Sequence, residues 1–141
     1  MAMTLTRLPD WEERLTWFVM GVGRETRFDM GRLSCAIWVA DAVKAMTGID
    51  PAPDWRDMPG DEQAIWRYLQ ERHGDLRAAT TAALGPEIPA SMAQRGDVVL
   101  HVVERGRMAL GICNGREFMA LADQGIGTRP MHTTICAWRI G

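Results

Sequence analysis

The side chain with the greatest chemical potential in this sequence is Cys35, which follows Ser34 at the start of an apolar segment of helical period. A thiol in the first turn of a helix feels the positive end of the macrodipole, which favours the thiolate, the nucleophilic form of sulfur. The competing reading is a small core residue, because free cysteine is among the residue types most often buried. A nucleophile needs a proton acceptor, and the chain offers His73, His101 and His132. His73 precedes Gly74 at a predicted helix end, where a cation complements the dipole without any catalytic role. His132 lies in a connection that follows Pro130. His101 lies in a predicted strand.

The hairpin Val103-Glu104-Arg105-Gly106-Arg107 decides which way His101 faces. With Gly106 as the left-handed residue ending a three-residue loop, Val103 pairs with Arg107, Val102 with Met108 and His101 with Ala109. A two-residue loop would turn His101 to the other face, making it an ordinary strand residue. Three separated His and three separated Cys (Cys35, Cys113, Cys136) give no ligand pair at a metal-binding spacing, so neither zinc nor any other cofactor is expected. Gly21-Val22-Gly23 and Gly125-Ile126-Gly127 lack the strand, third glycine and helix of a dinucleotide loop and read as turns. Trp38, Trp55, Trp66 and Trp138 invite comparison with a sugar-stacking platform, but tryptophan at helix or strand spacing is a core residue first. Trp55, between Pro53 and Pro59, is the one placed to reach a surface groove.

The elements that must position Cys35 and His101 follow from caps and periods. Asp10 and Glu13 form a capping-box pattern for a helix beginning near Trp11, with Trp11, Leu15, Phe18, Val19 and Val22 on its inner face. A second helix runs from Ser34, its N-cap, to a stop at Gly48, and a third opens at Asp61 and stops at Gly74. Asp75 caps an Ala-rich fourth helix that ends near Gly85. Residues 49–60, with three prolines, read as a surface connection. From there the period changes. Val98–Val103, Met108–Cys113, Glu117–Ala122 and Ile135–Ile140 are short apolar runs between turns, as in an antiparallel sheet. Helices first and strands second predict one α+β domain over residues 1–141.

Composition narrows the function classes. The chain of 141 residues is 47% hydrophobic and 24% charged, an ordinary globular balance. Sixteen basic and eighteen acidic residues give a net charge of −2 with no long block of either sign, which argues against nucleic-acid binding. An odd, widely spaced set of three cysteines points to a reducing compartment. Met1 to Pro9 holds no apolar signal core, and no run of about 18 uncharged apolar residues predicts a membrane span.

The segments Ser34-Cys35-Ala36-Ile37-Trp38-Val39-Ala40-Asp41-Ala42-Val43, Thr47-Gly48-Ile49, Arg95-Gly96-Asp97-Val98-Val99-Leu100, Ala109-Leu110-Gly111-Ile112 and Phe118-Met119-Ala120 share an order and spacing. In both, the chain resembles NlpC-type cysteine peptidases of the papain-like fold. It is most similar to a small branch encoded in tail modules of alphaproteobacterial phages and prophages, which share a Trp-Glu start like Trp11-Glu12 and an Ala-Trp-Arg end like Ala137-Trp138-Arg139. The resemblance covers nearly the whole chain. It implies a papain-like α+β fold in which Cys35 heads a helix packed on a sheet, and a strand presents a His that a further polar group orients. Three positions depart from that pattern. Ser34 replaces the usual Asp, Ala109 stands where the His is expected, and Ala120 stands where the orienting group often lies.

Two functions follow from the resemblance. One is a structural protein of the tail tip or hub, a pseudoenzyme docked to other phage tail proteins in the virion and made in the bacterial cytoplasm. The other is a peptidoglycan hydrolase cleaving stem peptides, with Cys35 as nucleophile and His101 as displaced base.

Overall fold

Asp10 and Leu8 set the start of the first helix. The Leu8 carbonyl accepts from the Trp11 N–H at 3.0 Å, and the Asp10 carboxylate accepts from Arg14 at 2.8 Å. In the computed structural model, which describes residues 5–25, 34–53, 62–122 and 125–141, this helix is α1 (Trp11–Glu25). Leu15 is buried on its inner face, flanked by the partly buried Trp11, Phe18 and Val19. Trp17 and Met20 point outward. The predicted contribution of Val22, and the whole of Trp55, lie outside the described side chains.

Helix α2 (Ser34–Thr47) is apolar on almost every side, which places it centrally rather than on the surface. Ala36, Val39, Ala42, Val43 and Met46 are buried against the sheet and the other helices. Gly48, at φ +81°, ends it as the sequence predicts. Helices α3 (Glu62–Arg72) and α4 (Leu76–Leu84) follow. The Asp75 side chain caps α4 by accepting from the Ala78 N–H at 2.8 Å, as its position before the Ala-rich run predicts. Pro51 and Ala52 are buried, so the connection after α2 starts against the core and not on the surface as the prolines suggest.

Six strands form one antiparallel sheet in the order β1-β6-β2-β3-β4-β5. They are β1 (Ile88–Pro89), β2 (Val98–Val102), β3 (Met108–Cys113), β4 (Glu117–Ala122), β5 (Gly125–Pro130) and β6 (Thr134–Trp138). The architecture is therefore α+β. Alternation sends Val98, Leu100, Leu110 and Ile112 toward α2, and Val99, Cys113, Phe118 and Ala120 to the other face. The turn expected at Gly125-Ile126-Gly127 is instead the start of edge strand β5, whose six residues pair with all six of β4. Glycines hide strand propensity, and the pairing comes from β4, whose apolar run supplies the partner.

Asp97 joins the two ends of the chain beneath this sheet. Fully buried, it accepts from Arg7 at 2.8 Å, from the Gln94 N–H at 2.9 Å and from the Ile140 N–H at 3.0 Å. Arg7 also lies over the Trp11 ring at 4.2 Å. Gly96 precedes Asp97 at φ +92°, and a Cβ there would come within 2.9 Å of Trp11, so the Gly-Asp pair is fixed by backbone shape and burial together.

Candidate functional site

Cys35 sits in the first turn of α2, half-buried, and α2 lies across β3. His101 sits on β2 opposite Ala109, the register that a three-residue loop predicts. The loop differs in one respect, since Arg105 as well as Gly106 takes a positive φ, at 63° and 72°. Backbone bonding across the hairpin then locates an unpaired segment. The bonds Val103 N–H to Arg107 O (2.7 Å) and Cys113 N–H to Asp97 O (2.8 Å) mark hydrogen-bonded pairs at both ends. Counting by twos makes Ala109/His101 and Gly111/Val99 hydrogen-bonded pairs as well. Leu110 is thus a non-bonded partner of Leu100, with its N–H and C=O turned toward β4. The β3–β4 ladder, however, contains only Ile112 with Met119 and Cys113 with Phe118.

Cys35 and His101 both approach this unpaired Leu110 backbone. The thiol feels the Leu110 N–H from the α2 side. The imidazole, from the opposite face, feels the Leu110 backbone too. His101 reaches that far because the β3 residues opposite and diagonal to it on its face are Ala109 and Gly111. Its ring packs on Phe118 with centroids 4.7 Å apart and planes at 49°. Gly111 has no room for a Cβ, which would lie 2.6 Å from the Met119 carbonyl and 2.9 Å from the Phe118 ring.

Electrostatics favour the core reading of the thiol. Burial pushes Cys35 above its ordinary 9.0, against the smaller opposing pull of the Leu110, Ala36 and Cys35 backbone N–H groups. Desolvation outweighs the helix terminus. His101, 3% exposed, is pushed down from 6.5 to about 4, by burial first and then by the Arg129 charge, while the Leu110 backbone pulls it up. Among the described residues, neither ring nitrogen has a hydrogen-bond partner. With burial raising the thiol and lowering the imidazole, a proton stays on sulfur and off the ring. Both groups are neutral at pH 7.

Ala109 and Ala120, where the resemblance expects the base and its orienting partner, lie on the sheet face that His101 covers. No acid or amide stands at either position. Cys113 and Cys136 are buried free thiols held above their ordinary value by desolvation, Cys136 to about 11 with the Glu87 carboxylate as second cause. His132 is exposed and His73 half-buried at the end of α3. Trp38 and Trp138 are buried and form no platform. Next to Ala36, a mostly apolar hollow is lined by Val39, Thr80, Ala83, Leu84 and Leu110, among others.

Sequence reasoning did not find Phe118, Gly111 or the Leu110 backbone. The available signal was the pair of small residues opposite and diagonal to His101, which lets a ring lie across the strand. Among the described residues, no group of three or more His, Cys, Asp or Glu could hold a metal ion, and no helix is long and apolar enough to cross a membrane. A search of curated proteins gives no match. The model of the family described as Domain of unknown function (DUF6950) matches residues 6–140, nearly the whole chain, and the protein belongs to that family.

Proposed function

We propose that this chain is a structural component of a phage tail tip or hub, built on an NlpC-type papain-like scaffold whose catalytic site has degenerated. The tail role rests on the resemblance of its segments to tail-module proteins. A cysteine-headed helix packed on an antiparallel sheet is compatible with the papain-like scaffold. The observation that carries the loss of catalysis is the state of the thiol site. Both partner positions are alanine, and the His101 imidazole is buried against Phe118 on the sheet face away from α2 and Cys35. A general base is worth typically ~10²–10⁴-fold in rate, and a desolvated imidazole on the far side of β3 does not supply it.

The test is complementation. A prophage lacking this gene should release particles with defective tails, and a Cys35→Ala copy should restore infectious particles as fully as the wild type. Restoration by wild type alone, together with muropeptide release from purified sacculi, would overturn the structural reading.

A further inference from the structure

The two edges of the sheet are built differently. One edge, β1, is two residues long and ends in Pro89, which has no N–H to offer a neighbouring strand. The other, β5, runs six residues in unbroken register with β4, and its only proline is the last residue. The bonding of β4 fixes which backbone groups of β5 are free. The Asn114 N–H donates to the Glu117 carbonyl at 2.7 Å, so Glu117, Met119 and Leu121 turn their backbone groups toward β3, and Phe118 and Ala120 turn theirs toward β5. The partners of Phe118 and Ala120 are Arg129 and Gly127. Ile126 and Thr128 therefore point their N–H and C=O groups away from the sheet, where no strand lies among the described residues. Gly127 to Pro130 are all exposed. Above this edge lies α1, which contacts both α2 and β5, whereas α2 lies over β3 and β4. With Leu15 and Phe18 turned inward, α1 presents Trp17 and Met20 outward, each 66% exposed and one helical turn apart.

We infer that two copies of this chain associate through β5, edge to edge and antiparallel, about a two-fold axis at Gly127, with Trp17 and Met20 of the two α1 helices meeting over the joined strands. The strand is complementary to itself in this register. Ile126 pairs with Thr128 of the second copy and Thr128 with its Ile126, so every free N–H and C=O of these residues is bonded. Other registers do worse. An axis at Thr128 sets Ile126 against Pro130, which has no N–H, and an axis at Arg129 sets two guanidinium groups against each other. An axis at Ile126 leaves Thr128 without a partner in the strand. With Gly127 on the axis, each Arg129 faces the bare Gly125 of the other copy. A two-fold axis perpendicular to the sheet keeps both helical layers on one side, which brings the two α1 helices together. Trp17 offers on the order of 150 Å², and with Met20 it supplies about a third of the roughly 800 Å² per partner that a stable association buries. The exposed edge from Gly127 to Pro130 adds to it. This pairing does not depend on the tail role or on the state of Cys35.

The experiment is sedimentation equilibrium of the intact chain over a concentration series into the high micromolar range, followed by disulfide trapping. Wild type should approach twice the mass of one chain. Thr128→Pro removes an edge-facing N–H that β4 does not use, and Trp17→Glu sets a charge at the helix contact. Each should weaken association about tenfold or more, with circular dichroism and thermal unfolding unchanged. Gly127→Cys reads the register itself. On the axis, Gly127 forms a non-bonded pair with its own copy, where Cα atoms lie about 4.5 Å apart, within reach of a disulfide. A Cβ at Gly127 meets nothing within 4 Å, so the fold has room for it. Mild oxidation should link two Gly127→Cys chains at that position, with the linked peptides read by mass spectrometry. Arg129→Cys, whose copies lie on the order of 13 Å apart in this register, should not link. A chain that stays monomeric throughout the series, or a dimer that survives Thr128→Pro and leaves Gly127→Cys unlinked, would overturn the pairing.

Discussion

Replacing His101 with leucine should remove an acid-sensitive element of the fold, and its size follows from the structure. The imidazole has an ordinary value of 6.5 when unfolded and about 4 when buried beside Arg129. Between those pH values the unfolded chain holds a proton that the folded chain does not, so stability rises with pH across that window. The contribution is fully present above 6.5 and lost as the pH falls through 4. The difference of 2.5 pH units corresponds to about 3 kcal/mol. Leucine keeps an apolar contact for Phe118 and does not titrate. The assay is urea unfolding of wild type and His101→Leu at pH 7.5, 5.5 and 4. Carboxylates titrate in both proteins, so the quantity of interest is the difference between them. Wild type should lose about 3 kcal/mol more than the variant between pH 7.5 and 4. Parallel loss in the two proteins would refute a buried neutral imidazole.

Three further outcomes are expected. Gly111→Ala should destabilise by about 1–3 kcal/mol in thermal or urea unfolding, because its Cβ would meet the Met119 carbonyl at 2.6 Å and the Phe118 ring at 2.9 Å. Asp97→Ala should cost about 3 kcal/mol or more, leaving Arg7 Nη2 and the Gln94 and Ile140 N–H groups without their acceptor, and Asp97→Asn should recover part of that loss. Arg105→Gly should raise stability by up to about 1 kcal/mol, since Arg105 holds φ at 63° at an exposed hairpin tip.

Local chemistry was legible in the sequence wherever it was sufficient. Asp75 capping α4, Gly48 ending α2 and the pairing of His101 with Ala109 depend on a few neighbouring residues, and each is found where the residues place it. Strand β5 was not legible, because Gly125 and Gly127 read as turn residues and only the adjacent β4 makes them a strand. Of the two readings that Cys35 allows, the buried core thiol is the one its surroundings favour. A helix N-terminus lowers a cysteine's value locally, but desolvation by β3 and the surrounding core is larger and comes from residues far away in the chain. The reach of His101 to Phe118 likewise depends on β3 being bare at Ala109 and Gly111, a property of three strands together.

The account turns on Cys35 being a protonated, desolvated thiol at neutral pH, and the rate of its alkylation against pH measures this directly. Cys35 labelling in the folded protein should be slow at pH 7 and should still be climbing as the pH passes 9.0, with no plateau below it. A plateau reached near neutrality, with a midpoint that returns toward 9.0 in His101→Ala, would show a working thiolate–imidazolium pair and contradict the degenerate site.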